Sequence, residues 1–319
     1  MLKKFCDIFI ISSLLGTVGC GAEEPKKPRP FPIPLPLPLP EPEPLPKEPE
    51  PEPKEPEIDS CVKSGADFTR DGGYRVRQKR VGRVVVYEPS VSGCKMPVYN
   101  HCNGTGAQTF FYRPQMQRMA SHGYLAVSYE TPQSGSGREA LQAIEIGLKR
   151  DDTLSLVATG GHSQGGQCAA SSHFLLEQKY SESVKVVSIH EEPAYSMSRP
   201  TYAREIPQLK GSSFVIHGTR DTVVPKSWVS RGARLLKNDH YWYAANGATH
   251  MNVQGFAATG SLAFANWKLL GYEDAKRFFL EGMPAAREWS VVEKSPKGYG
   301  FNVEMDYDLI LKEEYELYR

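Results

Sequence analysis

The sequence predicts an α/β fold, a mostly parallel central sheet of about eight strands with helices on both faces. Two observations carry this. From residue 59 onward, short apolar runs alternate with stretches of helical periodicity, and a few strands come first, followed by repeated strand-helix units. Taken in order, the apolar runs place strands at Tyr74–Gln78, Arg83–Tyr87, Pro97–Asn100, Tyr124–Tyr129, Leu154–Thr159, Val184–Ile189, Ser213–His217 and Tyr241–Ala245. Between and after them, helical spacing covers Pro114–His122, Gly137–Leu148, Gln164–Gln178, Pro225–Leu236, Gly260–Leu270 and Tyr272–Leu280. No internal repeat is present. In such sheets ligands bind beyond the carboxyl ends of the strands, so chemistry-bearing residues are expected just after strand runs.

The chain has 319 residues, of which 40% are hydrophobic, and a formal net charge of +1. A sizeable core can be buried, while no field or basic-aromatic groove favours nucleic acid. Lys3 and Lys4 precede an apolar run from Ile8 to Val18 that is too short for a mature membrane span and ends at Gly19-Cys20. Residues 1–20 therefore read as an export signal. Thr17-Val18-Gly19-Cys20 resembles a bacterial lipobox, with Cys20 as the lipidation site and a lipid anchor as the membrane partner; a plain secretory signal is the alternative. Residues 21–58 form a Pro-rich linker, with proline at nearly every second position from Pro25 to Pro56. Proline lacks an amide donor and fixes φ, so an extended rod of roughly 100 Å is expected. That spacer would separate the anchor from a domain at 59–319. Of six cysteines, Cys61, Cys94, Cys102 and Cys168 fall in this domain. Four cysteines allow three pairings; Cys61 with Cys94 and Cys102 with Cys168 are among the possibilities. No ligand spacing among the Cys and His residues supports a metal site, and no cofactor is expected.

Gly161-His162-Ser163-Gln164-Gly165 follows the run ending near Thr159 and opens a helix. This is a G-x-S-x-G pattern, in which glycines permit a sharp strand-to-helix turn that exposes the serine hydroxyl. A serine hydroxyl is a poor nucleophile without a base, so an acid and a histidine are required downstream, in that order. Asp221 follows the Ser213–His217 strand and His250 follows the Tyr241–Ala245 strand. In the implied mechanism His250 takes the proton from Ser163 while Asp221 orients the imidazole. Donors for an oxyanion are expected from the backbone amide of Gln164 and from the Gly-rich loop Asn100–Ala107, by Thr105 or its neighbour Gly106.

With Ala120-Ser121-His122-Gly123-Tyr124, Gly161–Gly166, Arg220–Pro225, Ala248–Met251 and the helix around Trp267 and Arg277, the chain over Pro97–Gly282 resembles the cutinase, polyester-hydrolase and dienelactone-hydrolase-like branch of the α/β-hydrolase fold. The resemblance implies a serine esterase acting on a small-molecule or lipid-like ester, and a monomer is expected. Two departures bear on the substrate. Where polyester-degrading members carry a tryptophan after the sixth strand, this chain has His190-Glu191-Glu192-Pro193-Ala194-Tyr195, and Thr105 occupies the aromatic slot beside the oxyanion loop. Glu191, Glu192 and Tyr195 thus become candidates for lining the pocket mouth, and a smaller or more polar ester is expected. As a pair for glycoside hydrolysis, Glu191 and Glu192 fail, because adjacent strand residues point apart. His162 is expected beneath the elbow. A cutinase- or lipase-type activity and a non-catalytic binding protein on the same fold are the alternatives. After Pro284 the chain outruns the resemblance; Val303–Tyr318 is expected to add a strand and an acidic helix, or to pack along the domain's edge.

Overall fold

The computed structural model describes residues 59–132, 134–195 and 202–295. The export signal, the linker and the tail segment Val303–Tyr318 lie outside them. Within the described residues the chain is α/β, with a nine-stranded sheet in the order β1-β2-β4-β3-β5-β6-β7-β8-β9. The strands are β1 (Val76–Val81), β2 (Val84–Pro89), β3 (Met96–Cys102), β4 (Leu125–Tyr129), β5 (Thr153–His162), β6 (Lys185–Glu191), β7 (Ser213–Gly218), β8 (His240–Ala245) and β9 (Trp289–Ser295). Neighbours from β4 to β8 run parallel, whereas β1 and β2 on one margin and β9 on the other are antiparallel.

Every strand read from the sequence is present, within three residues at either end. One strand, two short helices at Tyr202–Glu205 and Met283–Ala285, and part of a longer helix lie outside that reading. β9 pairs with β8, and its Trp-Ser-Val-Val-Glu-Lys-Ser composition lacks the apolar run of a central strand. The helices are α1 (Arg113–Ser121), α2 (Arg138–Leu148), α3 (Gln164–Tyr180), a short α4 (Tyr202–Glu205), α5 (Lys226–Ala233), α6 (Val253–Leu270), α7 (Glu273–Arg277) and a single-turn α8 (Met283–Ala285). α6 begins seven residues earlier than the expected Gly260, because Gly255, Thr259 and Gly260 weaken a helical pattern that tertiary packing restores.

Alternation along the strands sorts the core onto two faces. Tyr99, Ala126, Ile189, Phe214, Ile216 and Tyr243 pack with Met116, Leu262 and Phe264 of α1 and α6. Their immediate neighbours face the opposite way. Val98, Leu125, Val127 and Val157 meet Ala143 and Ile144 of α2, while Val215 and Trp242 meet Val229 of α5. Because both faces are covered, the central strands are buried along nearly their whole length. Two disulfides close the described domain, Cys61–Cys94 and Cys102–Cys168.

Candidate active site

Ser163 joins the end of β5 to the start of α3, with φ 61° and ψ −121°. That left-handed φ is costly for a residue bearing a β-carbon and is held by its surroundings. The Ser163 amide donates to the Glu191 carbonyl at 2.8 Å, and its carbonyl accepts from Gly166 at 2.9 Å and Ala194 at 3.1 Å. The flanking glycines are a steric necessity. A β-carbon at Gly161 would stand 2.2 Å from the Gly165 carbonyl oxygen, and one at Gly165 would stand 2.1 Å from that of Cys102. The turn closes only without side chains there.

Asp221 sits in the turn after β7 and His250 in the loop after β8. His250 Nδ1 and Asp221 Oδ2 are 2.6 Å apart, the two side chains being 12% and 1% exposed. The second Asp221 oxygen, Oδ1, accepts the amides of Val223 at 2.7 Å and Val224 at 3.0 Å. Burial alone would raise the Asp221 pKa, but the His250 bond and these two amides outweigh it and hold the carboxyl below its ordinary value. Asp221 is therefore a carboxylate whose geometry selects the His250 tautomer with hydrogen on Nδ1, leaving Nε2 as a base.

His162, the residue before the serine, ties this pair to the elbow. Its Nε2 lies 2.7 Å from the His250 carbonyl oxygen, and the two rings are 4.5 Å apart at their centroids. A carbonyl only accepts, so His162 Nε2 carries the hydrogen. Burial pushes the ring's pKa down to about 4, so at neutral pH its Nδ1 is bare. Tyr112 then donates to Nδ1 at 3.3 Å, and its own oxygen accepts the Gly104 amide at 2.8 Å. One buried imidazole thereby fixes both the histidine loop and the loop after β3. Sequence reasoning placed His162 beneath the elbow, where it is 2% exposed, but did not find Tyr112, which sits in a separate helical turn with no pattern linking it to residue 162.

The loop after β3 passes close to the elbow, since a β-carbon at Gly104 would come within 3.3 Å of the His162 carbonyl. Of the two expected donors there, the Gly106 amide is engaged by the Pro132 carbonyl at 3.0 Å. The Thr105 amide has no acceptor among the described residues, and Thr105 is exposed. Gln164 is the first residue of α3, so its N–H is one of the four that the helix itself cannot satisfy.

Glu191, Glu192 and Tyr195 do not line an open pocket mouth as expected from the sequence; all three are fully buried. Glu191 Oε1 accepts from Gln115 at 2.5 Å, and Gln115 also donates to Tyr99 at 2.9 Å, forming a polar network beneath the site. Burial raises the Glu191 carboxyl to about 8. Tyr195 meets His190 at 2.5 Å. The segment turns inward because its backbone is tied on both sides, Glu191 to Ser163 and Glu192 to Ile216. A groove of about 640 Å³ opens instead between α1 and α6, lined by Arg113, Gln117, Arg118, Met251, Asn252 and Gln254 among others. It begins one residue beyond Tyr112 and one beyond His250.

Among the described residues no group of three or more His, Cys, Asp or Glu side chains could hold a metal ion. The chain matches neither a protein-family model nor a curated protein.

Proposed function

We propose that the protein is a serine esterase that hydrolyses carboxylic esters through a Ser163 acyl-enzyme. The observation that carries this reading is the 2.6 Å His250–Asp221 bond, with the His250 loop fastened to His162, the residue that precedes a serine in left-handed geometry. His250 Nε2 removes the hydroxyl proton as Ser163 attacks the ester carbonyl, then returns it to the departing alcohol. Water repeats the sequence on the acyl-enzyme. The charge on the tetrahedral oxygen falls to the amides of Gln164 and Thr105.

The surroundings favour an ester with both apolar and polar parts. Phe110, Phe111, Val223 and Met251 are exposed, and each lies on a segment adjoining one of the proposed catalytic groups. The neighbouring groove contributes arginine and amide side chains. The two disulfides support an exported protein, because such bonds persist in oxidising compartments. With the lipobox-like Cys20 and the Pro-rich linker, we infer a lipid-anchored domain held away from the membrane.

The test is labelling of the purified protein by a fluorophosphonate probe together with turnover of p-nitrophenyl esters. Ser163→Ala is expected to abolish labelling and to lower kcat by several orders of magnitude without shifting the unfolding midpoint. Retained labelling or turnover in that variant would sink the assignment.

A further inference from the structure

Tyr112 carries a buried hydroxyl that the mechanism above does not use. It closes a 3₁₀ turn, Thr109–Tyr112, in which residues three apart stand over one another. That spacing buries Thr109 and Tyr112 together and leaves Phe110 and Phe111 in solvent. The Tyr112 ring packs 4.5 Å from that of His101, centroid to centroid, so it is held by contact as well as by hydrogen bonds.

The amides of the loop after β3 can be accounted for one by one. Gly104 donates to the Tyr112 oxygen at 2.8 Å, Gly106 to the Pro132 carbonyl at 3.0 Å and Ala107 to the Gly104 carbonyl at 3.1 Å. Thr105 alone in this run has no acceptor among the described residues. Its direction is fixed all the same. The Gly104 carbonyl and the Thr105 N–H belong to one planar trans peptide and point oppositely, so the bond from Ala107 to that carbonyl aims the N–H away from the turn.

The peptide before it is pinned on both edges. Its carbonyl, that of Asn103, accepts from Ser134 Oγ at 2.5 Å, and its N–H, that of Gly104, is taken by Tyr112. One of these bonds alone would leave an axis to turn about, and a glycine between the two planes resists such a turn least of all residues. The Tyr112 hydroxyl therefore supplies the restraint that a side chain at residue 104 would otherwise give. Its own direction is set by His162. Because His162 Nδ1 is bare, the Tyr112 hydrogen points there, at 3.3 Å, and an oxygen lone pair is left for Gly104. Burial lifts the hydroxyl pKa to about 12, so the donor persists through neutral pH.

We propose that Tyr112 is a positioning residue, whose hydroxyl holds the Gly104 amide so that the next N–H, that of Thr105, meets the oxyanion of the tetrahedral intermediate. This rests on the esterase reading. Tyr112 touches neither substrate nor Ser163; it acts through the backbone of Gly104.

The experiment compares the parent with Tyr112→Phe, which keeps the ring and removes only the hydroxyl. Active sites are counted by fluorophosphonate labelling, so that kcat is read per competent molecule. Deleting an oxyanion donor outright costs on the order of 10²- to 10³-fold; a donor left in place but misdirected is expected to lower kcat by about 10- to 100-fold, with KM unchanged. A boronic acid gives the second reading. Ser163 Oγ adds to boron as its proton passes to His250, nothing leaves, and one boron-bound oxygen stands where the oxyanion would. Its inhibition constant is expected to weaken in Tyr112→Phe by about the same factor as kcat. An unchanged kcat per labelled site, a loss carried by KM, or an unchanged inhibition constant overturns the proposal. So does failure of Tyr112→Phe to fold, which would make the hydroxyl a prop of the fold.

A third measurement uses the parent alone. On adding phenylboronic acid, the Thr105 amide proton is expected to move downfield in the NMR spectrum while those of Gly106 and Ala107 stay in place. If Ser163 is labelled but the Thr105 amide is unmoved, the role of Tyr112 falls and the esterase reading stands. An unlabelled parent overturns both.

Discussion

The carboxyl ends of the central strands and the antiparallel margin of the sheet treat ionisable side chains in opposite ways. At the margin, Glu88 of β2 meets Lys79 at 2.7 Å and Arg150 at 2.5 Å, with solvent nearby. Its charge is paired, and the exposed strand β1 carries Arg77, Lys79 and Arg80 outward. At the carboxyl ends, His101, His162, His190, Glu191 and Glu192 are all buried, and none has an ion-pair partner at salt-bridge distance among the described residues. Burial holds these histidines down at about 3 to 4 and the glutamates up at about 8 to 9, so all five are neutral near pH 7. A fold has no need to bury so many titratable groups for stability alone. Charges at the margin serve solubility, whereas neutral polar groups at the strand ends form hydrogen-bond networks that aim the site.

The comparison predicts large effects on turnover at one end and small effects on stability at the other. Asp221→Asn is the severest case, because an amide donates where His250 Nδ1–H needs an acceptor. Its kcat is expected to fall about 10³- to 10⁴-fold with little change in urea midpoint. A similar midpoint shift accompanying the loss would mean that Asp221 serves the fold instead.

The two disulfides sharpen the contrast further. Each closes a long loop, spanning 33 and 66 residues, and replacing either pair by serine is expected to cost about 2 to 4 kcal/mol of stability. Only Cys102–Cys168 joins the strand end that feeds the Thr105 loop to the helix that begins just after Ser163. Its removal is expected to lower kcat about tenfold in addition, while Cys61→Ser with Cys94→Ser leaves kcat unchanged. Equal kcat in the two double variants would erase the distinction.

The buried groups also shape the pH dependence of stability. Histidines held below their ordinary 6.5 make the unfolded chain the better proton binder, so stability falls as pH drops from about 6.5 toward 4. Glu191 and Glu192, raised above 4.5, contribute stability that is complete below about 4.5 and is lost as pH rises toward 8 to 9. Between those values four histidines outweigh two glutamates until the histidines have titrated. Stability is therefore expected to peak near pH 6.5, and Glu191→Gln to reduce the alkaline slope by about 1.4 kcal/mol per pH unit. A urea midpoint that rises steadily to pH 8 contradicts this. Least of all, Glu88→Gln at the margin is expected to change stability by less than about 1 kcal/mol and turnover not at all, as double-mutant cycles with Lys79 would show.

The central sheet was legible because its strands are continuous apolar runs buried on both faces, each followed by a turn or helix. The placement of Ser163, Asp221 and His250 just after β5, β7 and β8 was legible for the same reason, since strand ends are fixed points in an α/β sheet. β9 escaped because an edge strand needs only one apolar face and half of this one is polar. Glu191 and Glu192 misled because a charged residue is ordinarily exposed. Their inward course depends on backbone bonds from Ser163 and Ile216, which lie far away in sequence. Tyr112 and Gln115 likewise meet His162 and Glu191 only through the packing of α1 against the sheet.

For anyone wishing to re-engineer the protein, the closeness of α3 to the end of β3 divides the site into closed and open territory. A saturation library at residue 161 or 165 will yield glycine alone among its folded members, since any larger side chain collides with main chain that has nowhere to retreat. Diversity is better placed at Phe110, Phe111, Arg113, Val223 and Met251, whose side chains point to solvent and can be exchanged without disturbing the elbow.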